Sequence, residues 1–214
     1  MIRRAVAIVR EDGVLALGFR ILGATVYRRV LLLGTEVTRV PRAADARCRW
    51  LEPEDAAAYG RCHPTLPEDE IRRRMADGQR CLVLWSSDRE IASGMWVAFG
   101  RARIDYLAMD LPLAAGEAYL FQSFTTPAHR GRGYSTTLLL ALRHALQQEG
   151  YTYTIGCIQP DRAIAYAPLY RGRAVPVGYL GWVGIGPWRR TFRRVTNRYP
   201  WYAPPRIRPA AVPA

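Results

Sequence analysis

The 214-residue chain contains no lysine; all 31 of its basic residues are arginine. No side-chain amine is therefore available for Schiff-base chemistry or for a lysine-dependent phosphate loop, which removes several enzyme classes. Arginine suits phosphate and carboxylate through its planar fork; codon usage in a GC-rich genome is the alternative source of the bias. Cysteine is also scarce. Cys48, Cys62, Cys81 and Cys157 are scattered with no close pair, so neither a metal knuckle nor a redox motif is indicated. Cys62 adjoins His63, but only His129 and His144 remain as further imidazoles. Buried free thiols in a reducing cytoplasm are the simpler reading, and no metal is expected. Long apolar runs are absent as well. Arg10, Glu11 and Asp12 interrupt the first of them, against a signal peptide. Arg20, Arg28 and Arg29 break residues 13–33 well short of the ~20 residues a transmembrane span needs. An interfacial helix over residues 13–24, or an element packed on the core, remains open.

What is present is apolar mass and positive charge. Half the residues are hydrophobic, enough for one domain with a sizeable core. The formal charge of +13 predicts an anionic partner: a nucleotide-like cofactor, an acidic protein, nucleic acid or a membrane surface. A short helix is predicted from Pro53 to Cys62. A second follows at Thr65–Gly78, with a capping box between Thr65 and Glu68. Residues 81–85, 91–99, 103–108 and 117–125 read as strands, and 112–116 as a loop. Residues 134–150 form the clearest helix, opened by Ser135 or Thr136 and closed by Gly150. Strands at 151–158 and 174–183, with a short helix near 161–170 between them, complete the core. Strand, helix, strand over 117–158 is a βαβ unit, so its two strands should run parallel. From Pro187 the chain becomes basic and proline-rich and is expected to lack regular structure.

Residues 129–136, HRGRGYST, join the 117–125 strand to the leucine-rich helix. A glycine-rich turn feeding a helix presents the free amides of the first turn to one point, and the helix dipole makes that point an anion site. Gly131 and Gly133 let the backbone approach the anion; Arg130 and Arg132 add charge; Ser135 and Thr136 add hydroxyls. The spacing fits neither a Walker loop nor GxGxxG. Arg130-Gly131-Arg132-Gly133-Tyr134-Ser135, after the 117–125 strand and Pro127, resembles the (Gln/Arg)-x-x-Gly-x-(Gly/Ala) motif of the GNAT N-acyltransferases, with Ser135 departing at the last position.

The resemblance is specific over residues 117–150 and extends by order of elements over 50–183. It implies an α/β (α+β) fold: a mixed, mostly antiparallel twisted sheet of about six to seven strands with a parallel, splayed central pair, flanked by helices. It divides the chain into an N-terminal extension packed on or leading into the domain (1–49), a GNAT-like acyltransferase domain (50–186) and a basic, Pro/Arg-rich C-terminal extension (187–214). It implies acetyl-CoA or another acyl-CoA as co-substrate, with the diphosphate on Arg130, Gly131, Arg132, Gly133, Tyr134, Ser135 and Thr136. Pantetheine would pair like an extra strand with Phe124 and Thr125. The acceptor would be an amine, neutral when it attacks the thioester, so that a base is helpful. Glu117 is the first candidate base, sharing a face with Tyr119, Phe121, Ser123 and Thr125 by the two-residue period; capping a surface loop is its other reading. Asp105 is the second candidate, and Gln122 and Ser123 can only orient water. The family's thiolate-protonating tyrosine has no clean equivalent, because Pro168 takes its place between Tyr166 and Tyr170; Tyr170 is preferred. His129 is expected to face solvent or phosphate, and Cys157 to be core. A donor carried on an acidic acyl carrier protein is a variant of this reading. A nucleic-acid module without catalysis is the weaker alternative, and a homodimer is left open.

Overall fold

The structure is a computed structural model that describes residues 26–37, 45–86, 90–159, 174–185 and 188–195. Eight strands form the main sheet: β1 (Tyr27–Glu36), β2 (Cys48–Trp50), β3 (Arg80–Trp85), β4 (Ile91–Phe99), β7 (Glu117–Thr125), β8 (Tyr153–Ile158), β9 (Val175–Ile185) and β10 (Trp188–Val195). Strands β5 (Arg101–Ile104) and β6 (Met109–Pro112) make a separate hairpin. The helices are α1 (Ala56–Cys62), begun by a 3-10 turn at Pro53–Asp55, α2 (Glu68–Ala76) and α3 (Tyr134–Gln148). The order across the sheet is β10-β9-β1-β8-β7-β4-β3-β2, and every neighbouring pair is antiparallel except β7 and β8. The expected mixed α/β fold with one parallel central pair is the fold observed.

Several local expectations are corrected. Tyr27–Glu36, expected within a segment packed on or leading into the domain, is an inner strand between β9 and β8. The Val30, Leu32 and Leu33 side chains are buried there, while Arg28 and Arg29 lie over Trp182 and Tyr179. Trp188–Val195 is an edge strand on β9 rather than irregular tail; residues 188–199 hold no proline, so nothing prevents the ladder. Among the described residues the sheet accordingly has eight strands, beside the about six to seven expected. The single strand placed at 103–108 is the β5–β6 hairpin, turning at Asp105–Ala108. The capping box does not form. Helix α2 starts at Glu68 behind an extended Pro67, and Thr65 Oγ1 instead bonds His63 Nδ1 at 3.1 Å. The 13–24 segment, the 161–170 helix and the chain beyond 195 lie outside the described residues.

The elements cover the sheet in two ways. Leu138, Leu139, Leu142 and Leu146 of α3 meet Leu82, Leu84, Met95 and Val97 on one face. Burying each such side chain contributes about 1.5–3 kcal/mol. On the opposite face, Tyr59 of α1 and Ile71 of α2 pack with Val83, Ile91 and Trp96, and the hairpin covers β1, β8 and β9 through Ile104, Leu107 and Leu111. Arg143, buried on α3, donates through Nη2 to Thr35 Oγ1 of β1 at 2.9 Å, and burial lowers its pKa to about 10. Among the described residues, no helix is long and apolar enough to cross a membrane.

Trp96 Nε1 donates to the Tyr59 hydroxyl at 2.9 Å inside this core. Tyr59→Phe removes the acceptor and leaves the indole N–H buried without it, which should cost about 1–3 kcal/mol, read as a lower denaturant midpoint at unchanged m-value.

Candidate functional site

The pairing of β7 with β8 runs from Glu117–Tyr153 to Leu120–Gly156 and stops. Beyond it, β8 continues on β1 to Ile158, and β7 continues on β4 to Thr125. The two central strands therefore part, and, among the described residues, 121–125 have a strand partner on one side only. On that side the ladder is irregular: Trp96 opposes Phe121 and Gly94 opposes Phe124, so three steps of β7 span two of β4. Gln122 takes up the extra residue with φ +44°. This is a β-bulge, and it shifts the alternation of side chains along the strand.

The bulge changes which residues share a face. Phe121 and Phe124 lie on one side and Thr125, opposite Ser93, on the other. The face assigned to Glu117 by period two therefore does not continue through Thr125. The Thr126 amide, bonded to Ala92 O at 2.9 Å, extends the β4 ladder past Phe124. By alternation, the Thr125 amide and carbonyl then point into the gap. Arg130 Nε donates to that Thr125 carbonyl at 3.3 Å. The Phe124 carbonyl instead accepts from Ser93 Oγ at 2.6 Å.

After β7 comes a 3-10 turn at Pro127–His129, then Gly131 and Gly133 with φ +77° and +76°, then α3. Gly133 is the N-cap, in place of Ser135 or Thr136. A Cβ at either glycine would meet no atom within 4 Å, so the left-handed φ requires glycine there and the space above the loop is open. Among the described residues, the amides of Gly131–Ser135 donate to no backbone carbonyl. Five unspent N–H groups thus stand at the positive end of a 15-residue helix, beside the exposed Arg130 and Arg132 and the half-buried Ser135 and Thr136. His129 is buried rather than solvent-facing. Its Nδ1 meets Thr126 Oγ1 at 2.9 Å, and its ring lies 5.9 Å from that of Tyr134, fixing the loop from beneath. Arg47 lies over the other part of this corner, 5.5 Å from the Tyr134 ring.

The structure brings Phe124, Thr125 and residues 130–136 together at one end of the gap. Glu117 lies at the opposite, paired end of β7, where its carboxylate accepts the Ala114 amide at 2.8 Å. Asp105 is exposed in the hairpin turn and Ser123 is exposed on β7. Tyr166 and Tyr170 lie outside the described residues. Where the strands part, the Tyr119 hydroxyl and Cys157 Sγ are 2.8 Å apart, and burial raises the pKa of both groups. Among the described residues, no three His, Cys, Asp or Glu side chains gather as metal ligands.

Reading the sequence missed the α2 side of the site. Arg74 donates through Nη1 to Gln122 Oε1 and through Nε to Glu70 Oε1, and His63 packs edge-on against Phe124. The available signal was the placement of Arg74 with Ile71 and Met75 at helical spacing, which turns a charged residue onto the buried face of α2.

Free amides at the head of a helix, at the mouth of a parted parallel pair, make a place where an anion is favoured. The family model for the acetyltransferase (GNAT) family matches residues 45–173, more than half of the chain, and the chain belongs to that family. Among solved structures, a GNAT-family protein from Novosphingobium aromaticivorans aligns with TM-score 0.54 and 14% identity, over 72% of this chain and 62% of its own. A GCN5-related N-acetyltransferase from Sphaerobacter thermophilus aligns with TM-score 0.51 and 12% identity, over 84% and 57%. An acetyltransferase of the GNAT family from Colwellia psychrerythraea aligns with TM-score 0.52 and 12% identity, over 75% and 58%. These likenesses concern the fold, and the aligned part is less than two thirds of each of those chains. No curated protein matches the chain.

Cys157 is half-buried, and its thiol, with its pKa pushed up by desolvation, is a poor nucleophile. Intact-mass measurement after incubation with acetyl-CoA should therefore show no acetyl adduct on Cys157; an adduct there contradicts this account of the pair.

Proposed function

We propose that the protein is an N-acyltransferase that moves an acyl group, acetyl or longer, from coenzyme A to a primary amine by direct attack in a ternary complex. The observation that carries this reading is the set of unspent amides at Gly131–Ser135, placed where β7 leaves β8. Those amides, with Arg130, Arg132, Ser135 and Thr136, suit a diphosphate. The gap-facing backbone of Thr125 suits the amide groups of pantetheine, which would add like a strand. The thioester then comes to the bulge, where a backbone N–H of Gln122–Ser123 polarises its carbonyl.

The neutral amine attacks the carbonyl carbon, and the tetrahedral adduct collapses with loss of the coenzyme A thiolate. The amine's surplus proton leaves to a base, and the thiolate takes one from an acid. Glu117 is kept as a base to be tested, acting through water from its place beside Ala114. Tyr170, then Tyr166, is kept as the acid. The arginine-rich surface also supports an acyl carrier protein as donor, and a cytoplasmic site of action fits the free thiols among the described residues.

Calorimetry should show acetyl-CoA, a long-chain acyl-CoA and free coenzyme A all binding, because they share the diphosphate. Gly133→Val, with a β-branched residue at φ +76°, should weaken all three by about tenfold or more, or ~1.4 kcal/mol. Acetyl-CoA turnover with a panel of an amino acid, an aminoglycoside, a polyamine and a peptide N-terminus then selects the acceptor class. Absence of binding, or binding indifferent to Gly133→Val, contradicts the proposal.

A further inference from the structure

Gln122 is one of two non-glycine residues with left-handed φ among the described residues, the other being Ala108 in the β5–β6 turn. A tight turn accounts for Ala108. Gln122 is in mid-strand, where a residue with a Cβ is held in that region only if its surroundings over-determine it. The ladder alone does not do so. Among the described residues, the 121–125 half of the strand pairs with β4 alone. A one-residue slip of this half-strand would move its side chains to the other face.

We propose that Arg74 is a positioning residue for acyl transfer, clamping the Gln122 bulge in the conformation that presents its backbone amide to the thioester. This rests on the acyltransferase reading above. Arginine has donors only, so the carboxamide must turn its oxygen to the guanidinium, which fixes the far end of the Gln122 side chain. The guanidinium is itself fixed by three contacts. Its Nε donates to Glu70 Oε1 at 2.9 Å, and its plane lies over the rings of Trp96 (5.3 Å) and Phe121 (5.5 Å). Trp96 and Phe121 are the pair immediately before the bulge. Arg74 thus grips both the regular ladder and the residue that leaves it, and its side chain is only 11% exposed. Lysine, with a point charge and no fork, cannot make these contacts together. Helix α2 carries the clamp, so a change at α2 reaches the reacting carbonyl through one side chain.

The test compares Arg74→Met and Arg74→Lys with the wild type and with Arg74→Met/Gln122→Gly. Methionine keeps an apolar stem over the two rings. In Arg74→Met, amide hydrogen exchange of residues 121–125 should rise about tenfold, and kcat with acetyl-CoA and the most active amine of the panel should fall about tenfold, while the coenzyme A Kd stays within about twofold. Arg74→Lys should restore little. Adding Gln122→Gly should recover most of the lost kcat, because glycine takes positive φ without strain. Exchange and kcat both within about twofold of wild type in Arg74→Met overturn the clamp, as does a kcat loss that glycine leaves unrepaired. A wild-type protein that does not bind coenzyme A sinks the transferase reading and with it the role in transfer. Unchanged exchange with coenzyme A binding intact sinks the clamp alone.

Discussion

Everything in this molecule turns on where two parallel strands stop bonding. Strands β7 and β8 share only the register from Glu117–Tyr153 to Leu120–Gly156. Each then follows a different antiparallel partner, β4 or β1. The sheet is in effect two four-stranded halves joined by a short seam. Each half has its own cover: helices for the β7-β4-β3-β2 half and the β5–β6 hairpin for the other. Side chains also cross the seam: Arg143 reaches Thr35, Tyr119 reaches Cys157, and Ala98 and Tyr119 pack in one cluster with Leu32 and Ile155. Backbone groups past the seam have lost a strand partner, and buried groups of that kind are costly unless water or a ligand answers them. A parted seam is therefore a place where a polar, extended ligand is favoured.

The proposed anion cradle depends on the same geometry. Because β7 ends at Thr125 and turns at Pro127–His129, the start of α3 falls at the mouth of the gap. The leucines of α3 hold the helix on β3 and β4, and the Thr126–His129–Tyr134 contacts hold the loop below it. The free amides are thereby pre-positioned, with little ordering left to be done when an anion arrives. Gly131 and Gly133 serve this by their φ angles more than by their small size, since the space above them is open.

Much of this was legible in the sequence, for identifiable reasons. The α3 helix and the glycine turn before it announce themselves because apolar periodicity, glycines and hydroxyls all agree there. The strands at 91–99 and 117–125 were readable from β-branched and aromatic content. The bulge was not. Nothing in Phe121-Gln122-Ser123-Phe124 marks an extra residue, and its presence is fixed by β4, by α2 and by the lost neighbour. That is why a strict two-residue period carried Thr125 onto the face of Glu117, Tyr119 and Phe121. Strand β1 was hidden by Arg28 and Arg29, whose guanidinium groups lie against aromatic rings instead of breaking the strand. Strand β10 was hidden by neighbouring prolines that its own span lacks.

The most direct measurement follows the backbone amide resonances of the chain while coenzyme A is added. If the diphosphate is held by main-chain hydrogens at the head of α3, the largest shifts fall on Gly131 to Ser135, with a second set at Thr125. Saturable binding that leaves those five amides unmoved contradicts the account at its root.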